Sequence, residues 1–164
     1  MASVDAGLLV LRVVAGLLLL GHGLQKSFGW LDGDGLAKTA SIFEKVGYRP
    51  GRQMALVAAV MEITTGLGVV VGLLTPLAAA GMLATMLVAA SVHWRNGLWA
   101  TGKGFELPLM YGLIALALGF CGPGRYSLDG LIGWQLARPW TGWAAFALGV
   151  LGAAPVIARR AQAR

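Results

Sequence analysis

Glu62 stands near the middle of an apolar run, residues 54–74, that is long enough to cross a bilayer. A carboxyl group at that depth must find a partner or stay protonated, so its position constrains everything packed around it. Ala55, Ala58, Ala59, Glu62, Thr65 and Gly66 fall together on one face at 100° per residue. Small side chains on that face let another helix approach closely. Glu62 therefore marks an inward-facing position.

The rest of the chain repeats the pattern of long apolar segments. Of 164 residues, 57% are hydrophobic and only 12% charged, about half the charge of an average soluble domain. The sequence predicts an all-α, polytopic membrane helix bundle. The formal charge of +6 points to the positive-inside bias rather than to nucleic acid, because the basic residues sit in loops and tails around the spans. A single cysteine, Cys121, excludes an internal disulfide and an all-cysteine metal site; it reads as an inert interfacial thiol, or as one half of an intermolecular disulfide.

Five spans are expected. The first covers residues 4–23; Arg12 interrupts it and no basic residue precedes it, so it reads as a retained helix rather than a signal peptide. A connection, residues 24–53, contains a Gly- and Asp-rich loop and then an amphipathic helix over 36–46. That helix lies flat on the membrane or packs on the bundle, with Leu36, Ala40 and Phe43 on one face. The second span is 54–74 and the third 76–92, joined so tightly that they form an antiparallel hairpin. A polar loop, 93–104, leads to a short fourth span, 107–120, which draws in Glu106. Residues 143–157 form the fifth, with Trp140 and Trp143 at one end and Arg159 and Arg160 at the other. The division expected is a four-helix membrane domain over 1–134 and an extension with an extra helix and basic tail over 135–164.

With five spans, one side of the membrane (side B) receives Lys26, Lys38, Lys45, Arg49, Arg52, Arg95, Lys103, Arg159, Arg160 and Arg164. The N-terminal side (side A) receives only Arg125 and Arg138. This asymmetry places the N-terminus outside and the C-terminus in the cytoplasm of a bacterial inner membrane; four spans would weaken it.

Arg12 and Glu62 each lie eight residues from their expected helix starts, or about 12 Å along the axis. In antiparallel neighbours they differ in depth by about 6 Å across a core of about 30 Å, a gap an arginine can bridge. An Arg12–Glu62 pair is therefore expected, either as a helix-locking ion pair or as part of a polar site. Side B also gathers His22, Lys26, His93, Trp94 and Glu106 at the mouth of the cavity that Glu62 would line. Taken alone, Glu106 fits the positive end of a helix dipole better than a site role. The two histidines have no attachment motif and give no support to a haem. Phosphate-loop, dinucleotide, HExxH and nucleophile-elbow motifs are absent from the sequence.

Arg12-x-x-x-Gly16 followed by His22-Gly23-x-x-Lys26 resembles the first helix of the DoxX family of small bacterial membrane proteins. Glu62 in a Gly-containing second helix and Pro76 after a Gly-Leu-Leu-Thr turn are similar too, as are Trp94-Arg95-Asn96-Gly97 and Gly104-Phe105-Glu106-Leu107-Pro108-Leu109. The segment from Gly122 to Asp129 resembles the one that closes the family's core. The resemblance extends over about residues 6–130; the extension beyond Trp134 departs from the family's four-helix core. It implies a redox-linked membrane subunit, since the family is named from a quinol oxidase and thiosulfate–quinone oxidoreductase system and mycobacterial members are described in an oxidoreductase complex. The candidate positions are Glu62, His22 and Glu106 for proton chemistry, and Arg12, Lys26, His93, Trp94 and Asn96 for binding. No tightly bound cofactor or metal is expected; a quinone is the candidate substrate. Membrane lipid, and further redox subunits or a homo-oligomer, are the expected partners. A small-molecule or lipid carrier and a membrane scaffold without catalysis are the alternative functions.

Overall fold

The computed structural model of the chain describes residues 2–134 and 138–162. Seven α-helices occur among them: α1 (Ala2–Phe28), α2 (Gly35–Lys45), α3 (Gly51–Val71), α4 (Thr75–His93), α5 (Glu106–Cys121), the one-turn α6 (Leu128–Leu131) and α7 (Pro139–Gln162). The described residues contain no strand. The apolar segments form helices because a chain that buries its backbone in lipid must satisfy its hydrogen bonds within each segment. Among the described residues, four helical stretches are long and apolar enough to cross a membrane: Ala2–Phe28, Gly51–Val71, Thr75–Asn96 and Pro139–Gln162. At 16 residues, α5 spans only about 24 Å.

The long helices run alternately between two ends of the bundle. At side A, the backbone N–H of Arg125, after α5, donates to Asp5 near the start of α1. There too Asp129 meets the α3–α4 turn. At side B, Arg160 near the end of α7 donates to Val46 O after α2 (2.7 Å) and to Ser91 O near the end of α4 (2.6 Å). The expected fifth C-terminal helix is thus present and longer than residues 143–157. Arg160 within it is buried and also lies over the Tyr48 ring, not free as an interfacial anchor. Arg164 and the expected domain boundary after residue 134 fall outside the described residues.

α1 and α3 form the tightest pair. A Cβ on Gly16 would sit 2.7 Å from Gly66 O, and one on Gly66 2.8 Å from Leu20 N; only glycine lets the two backbones come this close. Behind this pair, Leu19, Val69, Met82, Leu83, Tyr111 and Leu118 form the core shared by α1, α3, α4 and α5. α7 closes the far side against α4 and α5. The amphipathic segment is a helix, and Leu36, Thr39, Ala40 and Phe43 turn toward α1 and α3.

The turn between α3 and α4 explains Arg12 and Asp129. Gly72 ends α3 in the left-handed conformation (φ 65°), as helix C-caps commonly do. Leu74 at the N-cap of α4 supplies no side-chain acceptor. Asp129, fully buried, takes its place: it accepts from Leu74 N and Thr75 N at 2.9 Å each and from Thr75 Oγ1 at 2.8 Å. A carboxylate at a helix N-terminus is favoured by both the hydrogen bonds and the dipole.

Candidate functional site

Glu62 does pair with a cation, but the cation is Lys26. Lys26 Nζ lies 2.9 Å from Glu62 Oε1 and 2.7 Å from Oε2. The register of α1 on α3 dictates this choice. Gly23 packs on Ala59 and Ile63, which brings that stretch of α1 level with Glu62. Lys26 lies one turn further on, and helical side chains lean back toward their own N-terminus. Its ammonium therefore returns to the level of the carboxylate. The pair is asymmetric: the Glu62 side chain is 7% exposed and that of Lys26 26%.

The expected Arg12–Glu62 pair is corrected. Arg12 is fully buried and donates to Val69 O (3.3 Å), Val70 O (3.1 Å) and Tyr126 O. These carbonyls lie at the C-terminal end of α3 and in the segment after α5, at side A. Depth counted from the helix starts misled because those starts do not bound one common layer: Gly16 faces Gly66 and Gly23 faces Ala59 and Ile63, so the level of Glu62 on α1 lies near Gly23, well beyond Arg12. Arg12 faces the last turn of α3, where orphan carbonyls need donors. Its role is to tie helix ends together.

Two further groups gather round the Lys26–Glu62 pair. His22 Nδ1 is 3.1 Å from Gln25 Oε1, and the His22 ring meets the buried Tyr111 edge-on at 6.4 Å. Glu62 lies within electrostatic reach of both His22 and Tyr111. Gln25 in turn donates from Nε2 to Leu31 O at 3.0 Å. Lys26 and Gln25 also line a cavity of about 300 Å3 whose other walls are Asp32, Gly33 and Asp34 from the loop and Thr39, Ile42 and Phe43 from α2. Lys38, at the start of α2, pairs with Asp34 at 2.5 Å.

The remaining predicted residues do not join this cluster. His93 Nδ1 donates to Lys103 O (2.9 Å), Asn96 Nδ2 donates to the same oxygen (3.0 Å), and Glu106 accepts from Ala100 N (2.8 Å). Trp94 stacks on Phe105 at 4.8 Å. These four side chains brace the loop between α4 and α5, which contains short 3-10 turns at Trp94–Asn96 and Ala100–Gly102. Among the described residues no hydrogen bond or ion pair joins them to His22, Lys26 or Glu62. Cys121 is a free, exposed thiol at the end of α5. No three His, Cys, Asp or Glu side chains come together as a metal site among the described residues.

Gln25 and Tyr111 join the cluster without having been expected from the sequence. Gln25 was findable, three residues from His22 and so on the neighbouring helical position. Tyr111 carries a weaker signal: the one hydroxyl between Leu107 and Cys121.

A bundle of long apolar helices around a buried Glu62 paired with a half-buried Lys26 defines the class: a polytopic helical membrane protein with a polar site at one end. The chain belongs to the DoxX family, whose model matches residues 7–94, that is α1 to the end of α4. It is also 33% identical over 132 residues to a protein of Mycobacterium tuberculosis described as the uncharacterized membrane protein Rv3486, covering 73% of this chain and 77% of that one. No solved structure matches the chain.

Proposed function

We propose that this chain is the membrane subunit of a redox-linked assembly and that a quinone head group occupies the side-B cavity beside Lys26 and Glu62. One observation carries the reading: a buried carboxylate held by both oxygens to a half-buried ammonium that also forms part of a cavity wall. An ammonium group has three N–H donors, and Glu62 engages two. The third is available to a quinone carbonyl. Quinone and quinol interconvert with two electrons and two protons; the electrons exchange with a partner protein. The protons pass through Glu62 and His22. The resemblance to quinone-linked relatives supports this reading, as does the position of the cavity at the bundle end, where an amphipathic ligand keeps its tail in lipid. The positive excess on side B, from Lys26 through Arg160, supports placing that side in the cytoplasm of a bacterial inner membrane.

The test is purification in gentle detergent, with mass spectrometry of co-purifying proteins and small molecules. Wild type should carry a quinone and a redox partner. Glu62→Gln and His22→Ala should leave folded protein and partner in place while abolishing quinone-linked turnover. A chain that moves solute by itself in proteoliposomes would make it a carrier. Loss of fold in both variants would leave the pair as packing alone.

A further inference from the structure

Gln25 has no part in the ion pair, yet both ends of its side-chain amide are engaged. Leu31 O is a carbonyl and can only accept, so the amide group 3.0 Å away must present its NH2. That orientation turns Oε1 toward His22 Nδ1 at 3.1 Å. Oε1 cannot donate, so the proton of that contact belongs to Nδ1. The bond made by one ring nitrogen sets the state of the other. Neutral His22 then has an unprotonated Nε2, the reverse of the tautomer that predominates for histidine free in water.

The loop that supplies Leu31 is itself held tightly. Leu31 and Asp32 both adopt left-handed conformations (φ 53° and 58°), which non-glycine residues seldom do without a surrounding constraint. Gly33 N donates to Trp30 O, and the Gly33 backbone presses so closely on Gln25 that a Cβ there would collide with it. The same loop walls the cavity through Asp32, Gly33 and Asp34. The wall of the cavity and the state of His22 thus meet in one side chain.

We propose that Gln25 is a positioning residue that holds His22 as its Nδ1–H tautomer and leaves Nε2 as the ring's proton-accepting atom, under the control of the loop carrying Leu31. This rests on reading His22 as a proton-exchanging group of the side-B site.

The experiment is nitrogen NMR of the full chain, labelled with 15N-histidine and reconstituted in nanodiscs. The chain has two histidines, and a His93→Gln variant assigns the signals. Neutral His22 should show a protonated Nδ1 and an unprotonated Nε2. Gln25→Ala should invert the population, making Nε2–H the majority form. Gln25→Glu, whose carboxylate also accepts, should retain Nδ1–H. His93, whose Nδ1 donates to Lys103 O, should be unmoved in both and reports that the fold is intact. An Nε2–H majority in wild type overturns the inference even where Gln25→Ala does not fold, as does an unchanged His22 spectrum in a folded Gln25→Ala. The readout needs no quinone. The predicted tautomer in a chain that binds none would sink the functional reading and leave Gln25's role standing.

Discussion

Breaking the Lys26–Glu62 pair should destabilise the bundle unequally, depending on which partner is removed. Lys26→Met strands a carboxyl group that is 7% exposed in the middle of α3. Removing one member of a buried pair costs about 3–5 kcal/mol, an upper figure here because Glu62 can take up a proton. Glu62→Gln strands Lys26 instead. That side chain is 26% exposed and sits two residues before the end of α1, so its ammonium can swing out to the side-B interface. The loss should be that of charge-assisted hydrogen bonds, about 1.5–3 kcal/mol. Removing both should cost less than the sum, with a coupling of about 1–3 kcal/mol. The assay is unfolding by sodium dodecyl sulfate in mixed micelles, followed by far-ultraviolet circular dichroism, for the two single variants and the double. Arg12→Met provides the contrast. Arg12 lies 14 residues from Lys26, about 21 Å along the helix, so its effect should add to that of Glu62→Gln without coupling. Refutation would be a larger loss in Glu62→Gln than in Lys26→Met, or coupling between Arg12 and Glu62 in place of Lys26 and Glu62.

Three further outcomes are expected. Asp129→Asn keeps one acceptor but turns an NH2 toward the N–H groups at the start of α4; stability should fall by about 1–3 kcal/mol, read by the same titration, with the side-B cavity unaffected. Gly16→Leu should prevent α1 from seating on Gly66 and Val70; folded yield should drop sharply, and the pairing of Lys26 with Glu62 should go with it. Cys121 should react with a membrane-impermeant maleimide from the side opposite to a cysteine placed at Ser41 in a Cys121→Ser background, since α5 ends at side A and α2 lies at side B. Labelling of both from one side would contradict the alternation of helices between the two ends.

The helices themselves were legible because each is an apolar run bounded by glycine, proline or charge. Hydrophobic periodicity and length identify such runs without knowing their neighbours. The same cues revealed Glu62 as inward-facing, since its flanking alanines and Gly66 describe a helix contact by themselves. The partner of Glu62 was not legible. It depends on the register of α1 against α3, which is set by the contacts of Gly16 with Gly66 and of Gly23 with Ala59 and Ile63; counting from the two helix starts does not report it, because Arg12 already meets the last turn of α3. The clusters at side B failed for a related reason. His93, Asn96 and Glu106 reach the same membrane face as His22, but backbone groups of their own loop satisfy them first. Arg160 looked like one of many interfacial cations; its burial on Tyr48 depends on a contact 112 residues apart in sequence, about which neither periodicity nor composition says anything.

On this account the cavity walled by Gln25, Lys26, the loop at residues 32–34 and Thr39, Ile42 and Phe43 of α2 receives a quinone head group. Photolabelling with an azidoquinone in nanodiscs, followed by peptide mapping, tests it most directly. Label should concentrate within residues 25–43 and fall at least tenfold in folded Lys26→Ala. Label spread along the lipid-facing helices, or concentrated in the apolar groove that Leu77, Trp140 and Leu148 form between α4 and α7 and indifferent to Lys26→Ala, would contradict it.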